Sequence, residues 1–266
     1  MNRIDRCFDE LSKRNGKALV CFLTCGDPDF ATTVDLVKAI AKAGADIVEL
    51  GVPFSDPLAD GPSIQASSFR ALQAGATVRK VIDCVADIRR PSTGSGCDVP
   101  LVLMTYYNPV HKYGLERFAR DAASAGADGV IATDLPPEES GAWKPAADAA
   151  GLATIQLVAP TSTKERIKQA ANMASGFIYC VSRTGVTGAR DDVPVELKEL
   201  VSTIKSISDL PVVVGFGISR SEHVRKVTEF ADGAVVGSAL VNVVAEFSAS
   251  ADLLRRAGEF VESLKR

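Results

Sequence analysis

Ala43-Gly44-Ala45-Asp46-Ile47-Val48-Glu49-Leu50-Gly51-Val52-Pro53-Phe54-Ser55-Asp56-Pro57-Leu58-Ala59-Asp60-Gly61 decides the fold of this chain. Its glycine after a helical pattern supplies the left-handed conformation that ends a helix. Asp46 to Gly51 then reads as an apolar strand, and the residues after it as a Pro- and Asp-rich turn. The same junction returns as Ala125-Gly126-Ala127-Asp128, ahead of another apolar run. A helix stop followed at once by a strand, used twice, is the rhythm of an α/β chain.

Working outward, apolar runs read as strands at 18–24, 46–51, 100–107, 129–134, 154–159, 176–182, 211–215 and 233–236. Seven are rich in Val, Ile, Leu, Phe or Tyr and bounded by Gly, Pro or Asp, whereas 233–236 is short and is placed by the rhythm. Amphipathic segments separate them: Phe30, Val34, Val37 and Ala41 share one face, and Leu253, Ala257, Phe260, Val261 and Leu264 another. Ile4, Cys7, Phe8 and Leu11 predict an extra N-terminal helix covering the bottom of the sheet. Eight alternating strands point to a closed (β/α)8 TIM barrel over residues 1–266, a single domain. An open doubly wound sheet is the alternative, and it would ordinarily carry G-x-G-x-x-G after the first strand, which this chain lacks. Residues 91–96, Pro-Ser-Thr-Gly-Ser-Gly, read as a surface loop and not a boundary.

The 266 residues are 46% hydrophobic and 24% charged, the balance of a globular protein. A net charge of −3 gives no general attraction for nucleic acid or membrane, so an anionic substrate would need local donors. The six cysteines form no C-x-x-C pair and no zinc spacing, which predicts reduced thiols in a cytoplasmic protein. The opening MNRIDRCFDELSKRN has no apolar core of a secretory signal. His111 and His223, the only two histidines, read as surface or capping residues, so no metal site is expected. Asp27 and Asp29 read as helix-start residues.

Candidate chemistry gathers at the ends of the strands, where barrels of this kind place their sites. Glu49 is an ionisable group near the end of an apolar strand, and Asp60 lies across the adjoining turn. One fixed carboxyl and one on a loop suit proton transfer to and from a substrate. Gly215-Phe216-Gly217 and Val236-Gly237-Ser238 follow strands seven and eight. Either alone is a plain turn; together, ahead of an apolar segment through Val244, they read as backbone donors for phosphate. Residues 183–193 are long, polar and punctuated by glycines, as a closing lid would be. Phe22, Met104, Tyr106, Ile131, Leu157 and Tyr179 lie on strands whose ends face the site, suited to walls for a flat apolar substrate.

The run from Glu49 to Gly61 closely resembles the signature segment of the tryptophan synthase alpha subunit family, and Ser-Arg-x-Gly-Val-Thr-Gly at 182–188 resembles that family's mobile loop. The resemblance runs from the first helix to about Ser238. It implies cleavage of indole-3-glycerol phosphate into indole and glyceraldehyde 3-phosphate. Glu49 and Asp60 take the places of the two catalytic carboxyls, Glu49 as general acid and then base, Asp60 on the indole N–H. Thr187 would brace Asp60, and Gly188 would join Phe216, Gly217, Gly237 and Ser238 around phosphate. Phe22 and Tyr179 fit the indole subsite best, with Met104, Ile131 and Leu157 alongside, and Thr133 stands where a small apolar residue is more usual. The loop with Pro53, Asp56 and Pro57 would meet a beta subunit in an alpha2beta2 complex, and pyridoxal phosphate is expected only in that partner. The remaining alternatives are another phosphate-binding barrel enzyme, a non-catalytic activating subunit, and a lyase that works alone.

Overall fold

Eight strands close on themselves in chain order: β1 (Ala18–Thr24), β2 (Ile47–Gly51), β3 (Leu101–Thr105), β4 (Gly129–Ala132), β5 (Ala153–Val158), β6 (Ile178–Val181), β7 (Val212–Gly215) and β8 (Gly233–Val236). Every neighbouring pair is parallel, and β8 returns to β1 with Val235 opposite Val20. The computed structural model describes residues 2–90, 97–181, 194–215 and 217–265. Helix α1 (Arg3–Lys13) precedes the barrel. Around it run α2 (Phe30–Lys42), α3 (Pro62–Gln73), α4 (Val78–Arg89), α5 (Tyr107–Tyr113), α6 (Leu115–Ala125), α7 (Trp143–Ala150), α8 (Lys164–Met173), α9 (Val195–Ile207), α10 (Ser221–Thr228), α11 (Ser238–Phe247) and α12 (Leu253–Leu264). The expected barrel is therefore the fold. Among the described residues no helix is long and apolar enough to cross a membrane.

Alternation along each strand splits the apolar residues into two cores. Leu19, Cys21, Leu23, Val48, Leu50, Leu101 and Leu103 pack outward under the helices. Val20, Ile47, Val102, Ile131, Ile155, Val213 and Val235 fill the barrel itself. Burial on both faces explains why β1 is buried at every position, with only Thr24 polar. Helix α1 closes the bottom as expected. Its Ile4, Phe8 and Leu11 join the interior core, and the Phe8 ring lies 5.9 Å from that of Phe177.

The repeated junction has a second role at that bottom rim. Gly44 and Gly126 stop their helices at φ +110° and +104°. The aspartate two residues on then accepts the N–H of the preceding strand, Leu19 N–H to Asp46 at 2.9 Å and Leu101 N–H to Asp128 at 2.9 Å. Asp232 repeats the contact with Val212 N–H at 3.0 Å. Each carboxylate also meets a cation: Lys265 at 3.0 Å, Arg89 at 2.7 Å and Lys205 at 2.8 Å respectively. Strand-starting donors that would otherwise face an apolar plug are satisfied in this way.

Strand boundaries differ from the sequence pattern where polar side chains intervene. The run 100–107 ends as a strand at Thr105, because Tyr107 N–H donates to Asp134 at 2.6 Å and opens α5. Asp134 is thereby turned away from β4, which ends at Ala132 and not at 134. Strand β6 is Ile178–Val181, shorter than 176–182, and residue 182 lies outside the described residues.

Candidate active site

Glu49 sits in the middle of β2, opposite Phe22 on one side and Val102 on the other. It points inward between Ile47 of the interior core and Gly51. It is 0% exposed, and among the described residues neither carboxylate oxygen has a hydrogen-bond partner. An ionised carboxylate there would have lost water and gained nothing in return. Burial alone pushes its pKa from 4.5 up to about 8, so at neutral pH it holds its proton.

Asp60 follows β2 on the loop into α3 and is partly buried. Burial raises its pKa from 3.8 to about 6, while a hydrogen bond with the Tyr106 hydroxyl pulls the other way. Loss of water thus outweighs the hydrogen bond from Tyr106. The two carboxyls are unequal: at pH 7 Glu49 is mainly protonated and Asp60 mainly ionised. Tyr106 also accepts Ala59 N–H at 2.9 Å, and its ring leans on Phe54 with centroids 5.2 Å apart. The buried Tyr179 hydroxyl is pushed well up by burial first, and then by the charges of Glu49 and Asp60, within whose reach it lies.

A cleft of about 240 Å³, counting its open mouth, runs past Asp60. Phe22, Met104, Tyr106 and Thr133 line it, together with Gly51, Val52, Ile64, Ser68 and Thr105. Gly51 has no side chain to spare space for: a Cβ there would stand 2.6 Å from the Phe22 ring. Glu49 does not line this cleft; it lies below Gly51 on the same strand. Ile131 belongs to the fully buried layer of the barrel, and Leu157 and Tyr179 pack against that layer without reaching the cleft wall. The wall from α3 was not foreseen. Ile64 and Ser68 lie four and eight residues after Asp60, a helical spacing that was available as a signal.

Gly237 occupies the N-cap of α11, whose first turn begins at Ser238 with no capping side chain. Gly217, with φ +48°, follows β7. These are the phosphate donors expected from the sequence that fall within the described residues. Thr187, Gly188, Phe216 and the whole lid at 183–193 lie outside them. His223 is not a surface residue: it is 4% exposed, its Nδ1 accepts Ser219 N–H at 3.4 Å, and its Nε2 lies 3.1 Å from Arg220. Asp29 caps α2 through Thr32 N–H at 2.7 Å, as expected. Asp27 instead pairs with Arg70. Of the loop expected at a partner surface, Pro53 is buried, Pro57 half-buried and Asp56 exposed, with Leu58 beside them 95% exposed. No group of three or more His, Cys, Asp or Glu that could hold a metal occurs among the described residues.

The family model described as tryptophan synthase alpha chain matches residues 8–266. A tryptophan synthase alpha chain from Geotalea uraniireducens is 52% identical over 265 residues, spanning 100% of this chain and 97% of the relative. Among solved structures, tryptophan synthase subunit alpha from Legionella pneumophila superposes with a TM-score of 0.90 at 39% identity, covering 100% of this chain and 97% of the other. A chain from the tryptophan synthase a2b2 complex of the hyperthermophile Pyrococcus furiosus gives 0.85 at 39% identity, covering 93% and 97%.

Proposed function

The chain belongs to the tryptophan synthase alpha chain family, and we propose that Glu49 and Asp60 are the groups that carry its reaction. That reaction is a carbon–carbon lyase step of tryptophan biosynthesis, in which indole-3-glycerol phosphate yields indole and glyceraldehyde 3-phosphate. The observation that carries the assignment is the pair of unequal carboxyls, Glu49 lifted to about 8 and Asp60 to about 6. A protonated Glu49 donates to indole C3, which lets that carbon accept the electrons of the breaking bond. Asp60, ionised, accepts a hydrogen bond from the ring N–H and stabilises its growing positive charge. The ionised Glu49 then takes the proton of the side-chain hydroxyl as the carbon bearing it becomes the aldehyde. Glu49 ends as it began, so no proton is consumed.

Phe22 and Met104 on the cleft wall form one side of the indole subsite, with Ile131, Leu157 and Tyr179 beneath. Gly217, Gly237 and Ser238, joined by Phe216 and Gly188, hold phosphate at the first turn of α11. Thr187 braces Asp60 when residues 183–193 cover the site. The C3-protonated indole ring itself accepts the electrons of the breaking bond, which supports a chain without a cofactor of its own, with pyridoxal phosphate in a beta partner. The Pro53, Asp56 and Pro57 loop meets that partner in an alpha2beta2 complex, supported by the exposure of Asp56 and Leu58 and by the Phe54 contact to Tyr106. A cytoplasmic setting fits six free thiols. The test is indole release by the purified chain, alone and with a compatible beta subunit, beside Glu49→Gln and Asp60→Asn. Loss in both variants is expected; full activity in either removes that residue from the mechanism.

A further inference from the structure

Helix α3 is attached to the barrel without a large apolar anchor. Its buried residues are Ser67, Ser68 and Ala71, while its Phe69 is 62% exposed. Such a face gains little from apolar burial. Beside its packing on α11, two polar contacts tie the helix to the end of β1 and the loop beyond it. Thr24 and Ser67 hydroxyls lie 2.6 Å apart, both buried. Ser67 also donates to Ile64 C=O at 2.8 Å, so in that arrangement the shared proton comes from Thr24. One turn on, Arg70 Nε and Nη2 donate to the two oxygens of Asp27 at 2.9 and 2.8 Å. Asp27 is 3% exposed, so the fork is held against a buried carboxylate.

What α3 holds is the site. Asp60 stands two residues before its first residue, Pro62, and Ile64 and Ser68 form part of the cleft wall. We propose that Asp27 and Arg70, assisted by Thr24 and Ser67, are positioning residues for Asp60, fixing α3 to the mouth of β1 so that the loop entering it presents that carboxyl to the cleft. The inference rests on the reading of Asp60 as a working carboxyl. Arg70 touches no reacting atom and acts through the placement of α3. A lysine would keep its charge and lose the planar two-point grip.

The experiment uses the full chain with its beta partner and compares Arg70→Lys, Asp27→Asn and Thr24→Val, the last probing the same attachment by a different contact. Arg70→Lys should lower kcat by about 10-fold or more, with KM little changed, because misplacement of a reacting group by about 1 Å is costly. Among the described residues the Tyr106 hydroxyl hydrogen-bonds Asp60, and the Tyr179 hydroxyl lies within its electrostatic reach. Released from its buried place among them, Asp60 should titrate lower, so the acid limb of kcat/KM should move down from about 6. In an Asp60→Asn background, Arg70→Lys should cost about twofold or less, since groups acting as a unit are not additive. A lowered melting temperature with kcat, KM and the acid limb unchanged in all three variants would overturn the proposal, as would full additivity with Asp60→Asn. If Asp60→Asn alone keeps full activity, the assignment of Asp60 fails and this inference falls with it. If Asp60→Asn is crippled and the α3 variants are not, only the inference falls.

Discussion

Glu49→Gln should make the protein more stable at alkaline pH while removing its activity. The native carboxyl is wholly buried, has no hydrogen-bond partner among the described residues, and titrates at about 8 in place of 4.5. Between those values the unfolded chain has released a proton that the folded chain still holds. The unfolded state therefore binds fewer protons, and raising the pH lowers stability. The full stability is present below pH 4.5, falls as pH rises, and stops falling once the folded carboxyl ionises near 8. At about 1.4 kcal/mol per pH unit, the whole interval amounts to about 5 kcal/mol. Glutamine has nearly the same shape and no charge to bury, so this decline is absent from the variant. Urea unfolding of both proteins from pH 5 to 9, without partner, gives the difference directly, because every other titrating group is shared. The variant's advantage should grow by about 1.4 kcal/mol per unit and level off above pH 8. Two parallel curves, differing by a constant amount across that range, would refute the placement of an unpartnered carboxyl inside the barrel.

The pH profile of kcat/KM should be bell-shaped, rising as Asp60 ionises near 6 and falling as Glu49 loses its proton near 8. Asp60→Asn should abolish the acid limb in whatever activity remains, and an unchanged limb would assign it to another group. Gly51→Ala should place a methyl 2.6 Å from the Phe22 ring, destabilising the protein by about 1–3 kcal/mol and raising KM. Phe22→Leu in the same chain should recover part of both effects, and no recovery would locate the damage elsewhere. Ile4→Ala, at a residue 0% exposed in the plug beneath the barrel, should cost about 2–5 kcal/mol of unfolding free energy and leave KM unaltered.

The places where sequence and structure part company share one cause. Asp29 read correctly as a helix cap because its partner, Thr32, is three residues away. Asp27 looked like another helix-start residue, yet its partner Arg70 is 43 residues off. His223 reads as a surface or capping residue, and the packing of α10 buries it. Asp60 read as a loop carboxyl suited to proton transfer, with no local sign of a raised pKa. Its surroundings come from β1, β3 and α3, and their removal of water set its pKa.

Local patterns were enough for the barrel and for placing Glu49 on its second strand, though Glu49 stands in the middle of β2 and not near its end. Helix stops, two-residue alternation and glycine placement act over a few residues, and eight repetitions of them leave one economical way to bury both faces of the strands. The protonation order of the two carboxyls, the α3 wall of the cleft and the tie from Arg70 to Asp27 belong to the tertiary structure alone. Desolvation and ion pairing depend on what other segments bring within a few ångströms, and no local pattern records that distance.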